Sequence, residues 1–196
     1  MRKLLLILVL LTSTRTLISC CKDVGFSFRW REATLTNIIA SSDTVAFLRS
    51  DSSRLAHYGF RLHFEYEEVA YHRISDFGLN QSYALSCESN YQNKDSITSI
   101  DVLTQNNFDN THPAGSSIVE YLLARPGMTT GQQGTTPYEF VKNNLDFFKS
   151  DDPINRNILD FKFASVAPIL GQHSFIVKTS FKSGRMLSDT TTIKLY

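Results

Sequence analysis

The chain has 196 residues, 42% of them hydrophobic, with 14 Phe, 8 Tyr, three cysteines and a formal charge of +1 at pH 7. That length suits one domain, and that apolar content is enough for a core, so disorder over most of the chain is excluded. The near-neutral charge argues against nucleic acid as the main partner and against a polybasic membrane-surface patch.

The first 19 residues, MRKLLLILVLLTSTRTLIS, place two cations before the apolar run Leu4 to Leu11. The run is too short to span a bilayer, which takes roughly 20 apolar residues as a helix. A charged start followed by a short apolar stretch fits a secretory signal peptide. The alternative is a retained anchor or a buried helix, against which Thr12 to Thr16, with Arg15, is polar. Leu17-Ile18-Ser19-Cys20 then resembles the lipobox of bacterial lipoproteins. In that chemistry a diacylglyceryl group is transferred to the thiol of Cys20 and the signal is cut just before it. Stable anchoring takes more than one acyl chain, and lipoprotein processing supplies two or three. Removing Arg2, Lys3 and Arg15 with the leader takes the formal charge from +1 to −2. Cys21 and Cys87 remain, in a compartment that permits disulfides. They either bridge, tying the tether to the domain, or stay as free thiols.

From Val24 onward the chain alternates. Val24, Phe26, Phe28 and Trp30 interleave with Gly25, Ser27, Arg29 and Arg31, the period-2 signature of a strand with one buried face. Thr44–Arg49 is a weaker strand signal. Phe60, Leu62, Phe64 and Tyr66 repeat the alternation against Arg61, His63, Glu65 and Glu67. Tyr83–Cys87 and Ile97–Leu103 are further weak strand signals. Residues 113–150 read instead as a helical insertion. A short helix is expected over Ser117–Ala124, then a Gly-rich loop over Arg125–Thr135. A longer helix opens at Thr136-Pro137-Tyr138-Glu139, with an N-cap, a proline at the first helical position and a capping-box Glu. Tyr138, Val141, Leu145 and Phe148 follow at helical spacing. Beyond the insertion, Leu159, Phe161 and Phe163 mark another strand. His173–Phe181 and Met186–Leu195 flank Lys182-Ser183-Gly184-Arg185, a hairpin turn. Thr190, Thr191 and Thr192 suit a strand with one wet side. About eight short strands with few helical connections predict a mainly β fold, an antiparallel immunoglobulin-like sandwich over residues 24–196. The Cys…Trp…Cys hallmark of true immunoglobulin domains is missing.

Cys20-Cys21-Lys22 after the signal, Ala84-Leu85-Ser86-Cys87, Ile97–Val102, His112-Pro113-Ala114-Gly115-Ser116 and the Gln172–Tyr196 hairpin follow in an order that resembles an uncharacterised family of Bacteroides-type lipoproteins, a domain of unknown function of about this size. The resemblance implies export and lipidation and no mechanism. Lys22-Asp23 is a short version of the acidic pattern that accompanies export to the cell surface in such bacteria, which leans towards a surface-facing outer-membrane lipoprotein.

Candidate chemistry is sparse. His57, His63, His72, His112 and His173 lack metal-ligand spacing, and neither metal nor other cofactor is expected. Glu65 and Glu67, with Glu68 beside them, would share a strand face as paired carboxylates do in glycoside hydrolases, yet a solvated strand face looks the same. Asp151-Asp152 and Asp109-Asn110 fit turns and caps better than calcium. P-loop, GxGxxG and GxSxG patterns are missing, and Gly115-Ser116-Ser117 lacks the second glycine of a nucleophile elbow. Trp30, Tyr66, Tyr71, Tyr83, Tyr91 and Tyr138 include candidates for a sugar-stacking platform, although Trp30 and Tyr66 fall on apolar faces. The resulting expectation is a lipid-anchored envelope module that binds glycan or protein, with no catalytic residues. An accessory subunit of an envelope complex and, behind it, a glycoside hydrolase are the alternatives.

Overall fold

The computed structural model describes residues 24–40, 45–73, 90–127, 137–141, 157–164 and 168–196. Eleven strands lie among these: β1 (Val24–Ala40), β2 (Val45–Phe47), β3 (Ser52–Ser53), β4 (Tyr58–Arg73), β5 (Asn90–Asn93), β6 (Ile97–Thr104), β7 (Leu122–Pro126), β8 (Glu139–Phe140), β9 (Ile158–Phe163), β10 (Gly171–Phe181) and β11 (Met186–Leu195). Single 3-10 turns occupy Leu55–His57 and Val119–Tyr121. The fold is mainly β.

The strands form two sheets. The larger runs β2-β1-β4-β9-β7-β8, with β5 parallel to β1. The smaller runs β3-β11-β10-β6, and β3 is parallel to β11. Every other pairing is antiparallel. Phe28, Trp30, Phe60, Leu62, Phe64, Leu159 and Phe161 from the larger sheet meet Val102, Phe175, Val177, Ile193 and Leu195 from the smaller in one buried cluster. Two sheets thus face each other as a β-sandwich. Aromatic rings fill its centre: Phe60 stacks on Phe161 with centroids 4.9 Å apart, and Phe163 lies 5.5 Å from both Phe108 and Phe175. Such pairs add about 0.5–1.5 kcal/mol each beyond the area they bury.

At one corner the sheets are stitched edge to edge. The Leu35 amide donates to Asp189 Oδ2 at 2.6 Å, and Asn37 Nδ2 donates to the Thr192 carbonyl at 3.0 Å. Asn37 Oδ1 in turn accepts from Thr191 Oγ1 and the Tyr58 hydroxyl. These side chains occupy backbone groups that an unprotected edge would offer to a foreign strand.

The C-terminal hairpin follows its sequence. Gly184 has φ of +84°, which a glycine adopts without strain. Asp95 holds the turn from outside, accepting from the Ser183 amide at 2.9 Å and its hydroxyl at 2.8 Å.

Three expectations are corrected. The helix expected over Ser117–Ala124 is a bridge from Ser117 to Leu103, the turn Val119–Tyr121 and then strand β7. Pairing with β9 satisfies the β7 backbone and buries Leu122 and Ala124 together, so tertiary contacts override local propensity. The helix expected from Thr136 does not start there: Glu139–Phe140 pairs with β7 as an edge strand, a place that tolerates the nearby Pro137. Its continuation through Leu145 and Phe148 lies outside the described residues. Finally, Ser27 and Arg61, expected on polar faces, are buried, and so is His173. Beside Ser27 the pairing shifts register, with Val69 of β4 as the extra residue.

Candidate functional site

A groove of about 530 Å3 opens beside the end of β11, lined by Asp51, Ser52, Gln172, Thr192, Ile193 and Lys194. Strand pairing assembles it. Lys194 stands between Gln172 of β10 and Ser52 of β3, in register with both. The Lys194 amide donates to the Asp51 carbonyl at 2.9 Å, which ties the segment before β3 to β11. Alternation along β11 buries Ile193 and turns Thr192 and Lys194 outward. Thr192 Oγ1 is 2.8 Å from Ser174 Oγ on the neighbouring strand. A carboxylate, an ammonium, an amide and two hydroxyls therefore surround one open depression.

Two large apolar side chains are exposed close in the chain to groove residues. Leu170, two residues before Gln172, is 68% exposed, and Tyr196, two residues after Lys194, is 60% exposed. Tyr196, and Ile169 just before Leu170, are anchored through backbone. The Tyr196 amide donates to the Ser53 carbonyl, and the Ile169 amide donates to the Phe108 carbonyl at 2.8 Å. His173 Nε2 lies 2.6 Å from the Ile169 carbonyl, so this nitrogen carries the proton and donates. Its ring stacks on Phe175 at an interplanar angle of 3°.

A second polar cluster crosses the larger sheet. Arg61, Asp160 and Arg125 are register neighbours on β4, β9 and β7. Arg61 Nε and Nη2 donate to the two oxygens of Asp160 at 2.6 and 2.9 Å, a buried bidentate pair. Arg125 and Lys162 both lie over the Tyr138 ring, at 4.3 and 4.2 Å. Burial pushes the Tyr138 hydroxyl up to about 12, with Asp160 adding to the effect and the arginines opposing it. Asp160 thus holds Arg61, and the Tyr138 ring takes Arg125 and Lys162.

The third cluster is the loop after β6. Asp109 Oδ1 accepts from the amides of Thr111 and His112 and from Thr111 Oγ1 at 2.7–2.8 Å. Turn chemistry thus accounts for Asp109, as its Asp-Asn context suggests.

The remaining sequence candidates fall as follows. Glu65 pairs with Arg31 at 2.8 Å and Glu67 with Arg29, across the exposed β1–β4 pair. Each carboxylate is held by a guanidinium, an arrangement of cross-strand ion pairs. Trp30 is in the core, Tyr66 sits at its margin edge-on to Phe28, and Tyr91 stacks on Phe26. His63 Nε2 lies 3.1 Å from Asn157 Nδ2, and His57 is exposed. Among the described residues no group of three or more His, Cys, Asp or Glu side chains is placed to hold a metal ion. Cys20, Cys21, Cys87, Tyr83 and Asp151-Asp152 lie outside the described residues, as do the side chains of Tyr71 and His72. Sequence reading passed over the groove residues, because Asp51 and Ser52 reach Lys194 only through a parallel pairing distant in the chain.

The family model for a domain of unknown function, DUF5034, matches residues 56–192. The chain belongs to this family. The matched span begins just before β4 and includes Gln172 and Thr192 of the groove. A comparison with curated proteins gives no match. Among solved structures, the chain is similar to the wild-type C-terminal domain of the Streptococcus agalactiae AgI/II polypeptide BspA, at 11% identity and a TM-score of 0.27, covering 83% of this chain and 49% of that one. A mutant form of the same domain gives 12% identity and a TM-score of 0.28, with 83% and 46% covered. The chain spans about half the length of those solved chains.

Proposed function

We propose that this chain is a lipid-anchored module of the bacterial cell envelope that binds a glycan in the groove beside Lys194. One observation carries the binding reading. Asp51, Ser52, Gln172, Thr192 and Lys194 converge on one open depression, and the exposed Leu170 and Tyr196 lie two residues from Gln172 and Lys194 in the chain. Sugars present hydroxyls that both donate and accept, and apolar C–H faces that pack on rings and aliphatic surface. A mixed set of donors and acceptors with exposed apolar side chains close by in the chain meets both needs.

The anchor is proposed from sequence: Cys20 carries the lipid, residues 24–196 form the exported domain, and the location is the outer membrane, facing the cell surface. A Cys21–Cys87 disulfide belongs to the same reading, as does an immunoglobulin-like grouping of the strands, which the two facing sheets support. The exposed Leu170 and Tyr196 favour a second reading, an accessory subunit packing on an envelope protein.

The groove is tested on a glycan array with the full chain. Retained glycans should lose about tenfold in affinity in Lys194→Ala and Gln172→Ala, the effect of removing one good hydrogen bond. No retained glycan, or retention indifferent to both substitutions, sinks the groove reading and favours the accessory one. Anchoring is tested by membrane fractionation and protease shaving of cells carrying wild type or Cys20→Ala. A mutant that stays on the membrane as wild type does overturns lipidation at Cys20. A membrane-bound wild type that resists shaving overturns surface exposure.

A further inference from the structure

His112 lies between two carboxylates. Its Nδ1 is 2.9 and 3.0 Å from the oxygens of Asp109, and its Nε2 is 3.3 Å from Glu120 Oε1. Thr111 Oγ1 also approaches Nδ1, at 2.9 Å. The ring is mostly covered, with 15% of the side chain exposed, and meets the Tyr121 ring edge-on at 4.9 Å. Among the described residues, Asp109, Glu120 and Tyr121 are the titratable groups that face it. A neutral imidazole has one N–H and one lone pair, so it would set a lone pair against one of the two carboxylates. The imidazolium donates to Asp109 and sets its positive charge beside Glu120. Hydrogen bonding to Asp109 is the main reason the His112 pKa is raised, with Glu120 adding to it and partial desolvation opposing.

The clamped loop is wired to the groove. The Phe108 amide donates to the His112 carbonyl at 2.9 Å, and the Phe108 carbonyl accepts from the Ile169 amide at 2.8 Å. Asn106 Oδ1 accepts from the Ser174 amide at 3.1 Å, and the Gln105 amide donates to the Ser174 carbonyl at 2.8 Å. The loop therefore grips β10 and its approach at residues 169 and 174, on either side of Gln172.

We propose that protonation of His112 sets the rim of the groove. The imidazolium clamps the loop between Asp109 and Glu120 and so holds Ile169 and Leu170 beside Gln172. The neutral ring releases Glu120, loosens the loop and frees the rim. This rests on the groove as the binding site, and it predicts tighter glycan binding in acid than in mild base.

The test measures the rim without ligand. Amide exchange at Ile169 in the full chain is followed from about pH 5.5 to pH 8.5 and corrected for intrinsic rates, while the imidazole resonances of His112 report its own titration. Protection at Ile169 should fall about tenfold as His112 loses its proton, and His112→Gln should remove that pH dependence. Glu120→Gln should lower the midpoint while leaving the loop folded. Constant protection through the His112 titration, or a pH dependence that survives His112→Gln, overturns the proposal. Array binding at both ends of the range then separates the two readings. Glycan binding indifferent to pH overturns regulation of the groove. An array that retains no glycan at either pH, while Ile169 still follows His112, sinks the groove reading and leaves the clamp in place.

Discussion

Asp160→Asn probes the buried ion pair that links β4 to β9. The Asp160 side chain is fully buried and that of Arg61 is 8% exposed, so water cannot replace the lost charge. Removing one partner of a buried pair costs about 3–5 kcal/mol. Asparagine keeps the volume and one acceptor oxygen, which puts the loss near the lower end, about 3 kcal/mol. A second effect acts in the same direction: Arg125 is in register with Asp160 on the other side, so the variant removes negative charge from the strand beside a second arginine. Urea unfolding followed by the fluorescence of Trp30, the single tryptophan, is the assay. With a slope of about 2 kcal/mol/M for a domain of this size, the midpoint should fall by about 1.5 M. Glu67→Gln is the control. It breaks a pair whose side chains are 51% and 37% exposed, and such pairs are worth about 0–1 kcal/mol. A midpoint for Asp160→Asn no lower than that of Glu67→Gln would refute the argument. Replacing the whole pair with Arg61→Met and Asp160→Leu should recover part of the loss, because the cost lies in the stranded charge.

Three further outcomes are expected. Phe60→Ala removes a fully buried ring stacked on Phe161 and should cost about 3–5 kcal/mol, read in the same urea titration; a loss near that of a surface substitution would mean the core collapses around the gap. Gly184→Ala meets open space but keeps φ at +84°, so a loss of about 1 kcal/mol in thermal unfolding is expected from backbone strain alone, and an unchanged melting point would contradict it. The His112 clamp gives pH dependence a definite sign. A pKa raised in the folded state adds stability that is fully present below the ordinary histidine value of about 6.5 and is lost as pH rises through the folded value. Urea midpoints should therefore fall between pH 6 and pH 8 in wild type, and a flat profile in that window, or the same fall in His112→Gln, would refute it.

Much of the sheet layout could be read from the sequence, and the reasons are physical. Phe60, Leu62 and Phe64 alternate because one face of β4 is buried, and Leu159, Phe161 and Phe163 do so on β9. In the C-terminal hairpin the Gly184 turn fixes the register, which sets Gln172 opposite Lys194. The faces were harder to read than the strands. Arg61 and Asp160 look like solvated positions by type, and only their pairing across β4 and β9 explains their burial. The same limit hid β7. The Ile118–Ala124 stretch carries no periodicity strong enough to oppose a helix, and its extended form depends on β9, more than thirty residues later in the chain. The Asp51–Ser52 side of the groove was beyond reach for a similar reason, since Ser52 meets Lys194 by a parallel pairing that no local turn encodes.

The stitch between Leu35 and Asp189 joins positions 154 residues apart. Together with the β3–β11 pairing it makes the order of assembly a matter of kinetics. Contacts this distant in sequence form only after a large loop has closed, so folding belongs to the slow regime of milliseconds to seconds typical of non-local β topologies. The β10–β11 hairpin is local, and the β1–β4 ladder closes a longer loop. The corner at Asn37 waits for both, which leaves the chain open for an interval in which a wrong partner can reach it.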